Sequence, residues 1–213
     1  MIYKVFLIDV LNGISLLEVN FKEFQKKDKD IIFSKFFKKI DPIIDDIKIE
    51  MSKSSKAKEF TTIYDSNDSS FLIYYQPLTR ILFCSISDAD DDIDKIKESI
   101  QRISHRFIKK HQSNLKIFRD TTEKTRFQTF TADIENLTLG GRIAEVFPKL
   151  LIAESALKKI LANKIISELD FEVALLCDGK NSPLRILKKY PDKSKTEISE
   201  ILKKLEQLDI IRM

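Results

Sequence analysis

Two apolar runs, Tyr3–Val10 and Ile14–Phe21, flank the pair Asn12-Gly13. Both turn residues tolerate positive φ, so the chain can reverse on itself between two short, branched segments. The chain therefore opens as a β-hairpin. Three more strands are expected over Phe60–Tyr64, Phe71–Gln76 and Arg80–Ser87. The separating segments Asp65-Ser66-Asn67-Asp68 and Pro77-Leu78-Thr79 have the composition of turns.

Between and after these strands the apolar period becomes helical. Ile32, Phe33, Phe36, Phe37 and Ile40 recur at three- and four-residue spacing, with Lys35, Lys38 and Lys39 opposite. Ile43, Ile44 and Ile47 keep the same phase beyond Pro42, which itself falls on the polar face. One helix, kinked or briefly broken at Asp41-Pro42, is expected. A polar linker spans Ser52–Lys58. A second helix follows the acidic run Asp88–Asp92, with the stripe Ile93, Ile96, Ile100, Ile103 and Phe107. The order is β-β-α-β-β-β-α, followed by a third helical stretch near Phe130–Leu139 that ends at Gly140-Gly141, a natural C-cap. The expected fold class is α+β, a five-stranded antiparallel sheet (β-β-α-β-β-β-α-α) with helices packed on it. Arg119–Arg126 reads as a loop.

Ile143–Ile166 reads as strongly helical apart from Pro148. Three short helical segments then follow over Phe171–Cys177, Pro183–Tyr190 and Thr196–Leu208, the last with Ser194 as its N-cap. A terminal strand at Ile210-Ile211-Arg212 completes a small winged-helix-like helical module. The expected division is residues 1–150 as the sheet domain, 151–168 as a connecting helix and 169–213 as the module. A fragment ending near Asn163 is expected to fold alone.

Only 4 Gly and 5 Pro occur, too few for a β-sandwich or barrel with many tight turns. With 43% hydrophobic and 33% charged residues the chain can bury a core and is not a disordered tail. Net charge is +4, which neither demands nor excludes an anionic partner. No stretch approaches about 18 continuous apolar residues. The opening Met1-Ile2-Tyr3-Lys4 lacks the layout of a signal peptide. Cys84 and Cys177, each inside an apolar run, read as small buried hydrophobes in a reducing compartment. The expected localisation is cytoplasmic.

The hairpin of Met1-Ile2-Tyr3-Lys4-Val5-Phe6-Leu7-Ile8, Asn12-Gly13 and Ile14-Ser15-Leu16-Leu17 resembles the first hairpin of longin-like (SNARE-like) domains, among them the small chains of vesicle-coat adaptor complexes. Asp94 through Phe107 to Leu115-Lys116-Ile117-Phe118 resembles that family's second helix. Leu139-Gly140-Gly141-Arg142-Ile143-Ala144-Glu145 resembles the adaptor small chains' segment after the third helix. The likeness covers roughly residues 1–150 and departs from the adaptor pattern at Arg119–Arg126 and in the C-terminal module. It implies a non-enzymatic platform, a prokaryotic relative of trafficking machinery. Such a platform dimerises, docks a small GTPase or pairs with another longin- or roadblock-type domain, with any peripheral membrane association reached through those partners. The rival expectation is a transcriptional regulator whose C-terminal module reads DNA.

No residue pattern points to catalysis, a cofactor or a metal. His105 and His111 are the only histidines, His105 on the polar side of the second helix and His111 at the edge of its apolar stripe. No Cys, Asp or Glu stands at a ligand spacing from both. Asp88, Asp90, Asp91, Asp92 and Asp94 do not follow the calcium-loop pattern, because the sixth residue is Ile93 and the twelfth Ser99. Acidic residues there are expected to cap a helix. Gly140-Gly141 lacks the strand and third glycine of a dinucleotide site, and no phosphate loop or nucleophile elbow occurs.

Overall fold

The computed structural model describes residues 1–21, 26–53, 58–66 and 69–213, with the side chains of 26–30 set aside. It divides into two compact units, Met1–Ala144 and Glu145–Met213.

The first unit is α+β. Strands β1 (Ile2–Asp9), β2 (Ile14–Asn20), β3 (Phe60–Asp65), β4 (Ser69–Gln76) and β5 (Ile81–Asp88) form one antiparallel sheet in the order β2-β1-β5-β4-β3. The opening hairpin closes through four residues: Gly13, at φ 69°, donates its N–H to Asp9 O at 2.9 Å, and Ile14 N–H donates to Asn12 Oδ1. Every residue of β1, β4 and β5 is buried. Their sequences read as near-continuous apolar runs because both faces of the sheet are covered.

Helix α1 (Lys26–Ser52) covers one face and α2 (Ile93–Thr121) the other. On the α1 side Phe6 stacks on Phe36 at 4.7 Å between centroids, and Phe36 meets Phe71 edge-on at 5.8 Å. Phe36, Ile40, Ile44 and Ile47 are buried, while Phe37 stays partly exposed. Pro42 lies inside α1, which runs through as a single helix. Its polar-face position leaves the buried stripe undisturbed. On the α2 side Ile96, Ile100, Ile103, Phe107, Leu115 and Phe118 pack on Val5, Leu7, Leu72, Tyr74 and Phe83. Asp92 caps α2, its carboxylate accepting from the N–H groups of Asp94 and Lys95.

The loop expected at Arg119–Arg126 is shorter in the structure. The apolar stripe carries α2 on through Phe118 to Thr121. Thr122, at φ 61°, ends it by donating its N–H to Phe118 O. A 3-10 turn over Thr125–Phe130 buries Phe127 and Phe130, and α3 (Thr131–Leu137) follows directly. The expected linker Ser52–Lys58 and turn Asp65–Asp68 lie partly outside the described residues.

The second unit has its own core, built from Leu157, Ile166, Val173, Ala174, Ile186, Ile198, Leu202, Leu205, Ile210 and Ile211. Its helices are α4 (Glu154–Ala162), α5 (Glu168–Leu176), α6 (Pro183–Leu187) and α7 (Lys195–Gln207). Ser167 with Asp170, and Ser194 with Glu197, form reciprocal capping boxes at α5 and α7. The long helix expected over 143–166, and with it the connecting helix 151–168, is cut down to α4. Pro148 cannot donate a helical N–H. Just after it, β6 (Lys149–Leu150) pairs with β7 (Ile211–Arg212). Because the first unit's core closes within Met1–Ala144, a fragment of residues 1–144 should melt cooperatively with a mixed α/β circular-dichroism spectrum. A gradual, non-cooperative melt would show that the second unit is needed to complete that core.

Candidate interaction surfaces

The two histidines sit in opposite environments on α2. His105 is exposed. His111 is buried in an aromatic cage, stacked on Phe107 at 5.4 Å and facing Phe130 edge-on at 5.3 Å. Asn114 Nδ2 donates to its Nδ1 at 3.2 Å. Burial holds its pKa below the ordinary 6.5, with nearby Asp133 opposing and Lys110 assisting. His111 is thus a neutral packing residue. The unfolded chain takes up its proton near 6.5 and the folded chain only at lower pH, so this site's stability is full above about 6.5 and is lost as pH falls through the folded value. His111→Phe should flatten that decline in denaturation measured between pH 7 and 5; an unchanged pH profile would remove His111 from the account.

The acidic run after β5 separates into distinct roles. Asp92 is the helix cap already described. Asp88 accepts a hydrogen bond from Tyr3 Oη at 2.6 Å and another from Asp90 N–H at 3.0 Å. Burial, then the Asp88 charge, pushes the Tyr3 hydroxyl far above its usual range. Asp91 is pushed up to about 6 by burial, against the pull of the Met1 amine that it pairs with. Among the described residues, no three His, Cys, Asp or Glu side chains are placed to hold a metal ion. Cys84 and Cys177 are both buried thiols; burial raises each, Cys177 to about 12.

Gly141 has a purpose the sequence does not reveal. At φ 83° it sits so close to β1 that a Cβ would lie 2.7 Å from the Ile2 carbonyl oxygen and 2.7 Å from the Phe21 ring. Its own carbonyl accepts from Ile2 N–H at 2.7 Å. The residue thus stitches the segment after α3 onto the sheet, a role that requires the absence of a side chain. At Gly140, also left-handed, an added Cβ would meet no described atom within 4 Å.

A candidate surface for a partner lies at the β3 edge. β3 is the last strand of the sheet and, among the described residues, pairs only with β4. None of its residues is fully buried, and Ile63 is 40% exposed. Beside it runs a groove between α1 and β3, lined by Ile43, Asp46, Ile47, Glu50, Phe60 and Thr62. At the opposite edge, β2 buries Leu16, Leu17 and Val19. Both are edge strands, and β3 is the less buried of the two.

No protein-family model matches the chain, and no curated protein matches it either. Among the described residues, no helix is long and apolar enough to cross a membrane.

Proposed function

We propose that the chain is a non-enzymatic interaction platform of the longin type, acting in the cytoplasm. Its sheet unit docks a small GTPase or pairs with a second longin- or roadblock-type domain, and its C-terminal unit is a winged-helix-like appendage. The observation that carries this reading is the half-exposed edge strand β3 beside the α1 groove. An edge strand offers backbone groups for strand addition, and the neighbouring groove, with Ile43, Ile47 and Phe60 among the acidic Asp46 and Glu50, supplies side-chain contacts. The element order β-β-α-β-β-β-α supports the longin assignment, as do the central strands buried on both faces. The helices α5–α7 with the β6–β7 pair support the winged-helix-like one.

The test uses the full chain as bait in native lysate loaded with a GTP analogue or with GDP, beside an Ile63→Lys variant. A lysine on an edge strand discourages further pairing. Recovery of a GTPase or longin-type chain that the variant loses supports the reading. Equal recovery by both baits, or recovery of neither class, overturns it.

A DNA-reading function is the second reading, and the charges of the C-terminal unit count against it. Residues 164–213 carry ten basic and nine acidic side chains, so the net is only +1. Within that unit Lys204 is engaged by Asp170 at 2.5 Å and Lys193 by Glu197 at 3.6 Å. Phosphate contacts supply most of the affinity for DNA, and Glu197, Glu200 and Glu206 on α7 would repel them. The chain should show no sequence-specific binding, and non-specific affinity no tighter than about 10⁻⁴ to 10⁻⁶ M at physiological salt. A mobility shift at nanomolar protein that survives competitor DNA would reinstate the regulator.

A further inference from the structure

The outer face of α2 carries a charge pattern that neither the fold nor partner docking at β3 requires. From Ser99 to Arg119 the helix contains no Asp or Glu. Arg102, His105, Arg106, Lys109 and Lys116 are all exposed. Their spacing of three and four residues aligns them along the side opposite the buried stripe. At 1.5 Å per residue the ridge from Arg102 to Lys116 runs about 21 Å. Internal partners neutralise only part of it. Glu98 pairs with Arg102 at 2.5 Å, and the mostly buried Asp133 is shared by Arg106 at 3.2 Å and Lys110 at 2.6 Å. Lys109 and Lys116 make no ion pair among the described residues.

An apolar tip stands at one end of this ridge. The β4–β5 turn holds Leu78 74% exposed, the most exposed large hydrophobic residue described. Leu78 lines one shallow depression together with Gln112, Leu115, Lys116, Arg119 and Asp120. The turn is fixed in place, because Arg119 Nη2 donates to Thr79 O at 2.6 Å and Arg80 N–H to Gln76 O at 2.8 Å. Val10 N–H donates to Arg80 O at 3.0 Å, which sets the β1–β2 turn and its partly exposed Leu11 at the same end of the sheet.

We infer that the α2 face, with Leu78 as its insertion point, docks directly on an anionic lipid bilayer. A polybasic ridge alone gives weak, salt-sensitive attachment, and a lone leucine gives less. Lasting attachment to a membrane takes the two signals together. Nucleic acid would use the cations, but not an aliphatic tip, and single strands need exposed aromatic platforms. The exposed large hydrophobics described near this ridge are Leu78, Ile117 and Leu11, with no aromatic residue among them. The ridge lies on the sheet face opposite α1, so the β3 groove stays free for a protein partner.

The test is flotation of the full chain with phosphatidylcholine vesicles, with and without phosphatidylserine. Binding should require phosphatidylserine and should weaken at least about tenfold on moving to about 0.5 M salt. Lys109→Glu with Lys116→Glu should reduce it by about tenfold or more, since each basic residue near an anionic surface contributes roughly fivefold. Leu78→Ser should weaken it several-fold without moving the melting temperature. Lys35→Glu with Lys38→Glu, an equal charge change on exposed α1 positions, should leave it unchanged. Loss of phosphatidylserine dependence, an equal loss in the α1 variant, or no effect of Leu78→Ser would each overturn the proposal. Tighter binding to duplex DNA than to vesicles would hand the ridge to nucleic acid instead.

Discussion

Phe107→Ala should cost about 3–5 kcal/mol of folding stability, the largest loss expected from any single truncation in the α2 stripe. The ring is fully buried at the centre of an aromatic cluster. It meets Phe83 edge-on at 5.6 Å and Phe130 at 5.3 Å, and stacks on His111 at 5.4 Å and Phe127 at 5.7 Å. These neighbours come from β5, α2 and the 3-10 turn, so no one element can shift to refill the space. The cavity would persist, and the edge and stacking contacts would be lost with it. His105→Ala, two residues earlier on the same helix and exposed, should change stability by about 0.5 kcal/mol or less. Urea denaturation of both variants provides the comparison. Equal losses would mean that α2 packs by a different face.

The readable and unreadable parts of this fold differ in sequence separation. Phe107 could be placed in the core from Ile93, Ile96, Ile100 and Ile103 alone, because helical periodicity is local. The same locality makes the hairpin around Asn12-Gly13 and the three strands from Phe60 to Asp88 legible. β6 was not legible. Its two residues are held by Ile211 and Arg212 at the far end of the chain, and Lys149-Leu150 has no pattern of its own. Nor could Phe127 and Phe130 be tied to His111, since the 3-10 turn that aims them follows a polar stretch that reads as loop. The candidate surface suffers from the same limit. The sequence of β3 marks it as a strand, but only the order β2-β1-β5-β4-β3 makes it an edge strand. Gly141 was visible as a helix terminator, while its approach to Ile2 is a contact across the whole unit. On α2 the missing acidic residues between Glu98 and Asp120 were in plain view, but their meaning needed Leu78 beside Lys116.

Arg119→Ala should destabilise the first unit by about 3–5 kcal/mol, far more than its position near the end of a helix would indicate. Its partner Asp9 closes β1 with no exposed surface at all. Arg119 donates from Nε at 3.0 Å and from Nη2 at 2.6 Å to Asp9 Oδ1, and Nη2 also donates to Thr79 O at 2.6 Å. Asp9 Oδ2 accepts no hydrogen bond among the described residues. The carboxylate therefore depends on this one guanidinium. Removing it strands a charge in the apolar interior, and the cost is dominated by that stranded charge, not by the bond lost. Arg119→Lys should recover only part of the loss, because an ammonium cannot serve Asp9 and Thr79 with the same planar fork. Replacing both partners, Asp9→Leu with Arg119→Met, should be markedly milder than Arg119→Ala alone, since neither charge then remains to be buried. A double-mutant cycle by denaturant titration separates these cases. A loss under about 1 kcal/mol for Arg119→Ala would place the pair among ordinary surface ion pairs. It would also mean that the β1–β2 and β4–β5 turns are held at the end of α2 by packing alone.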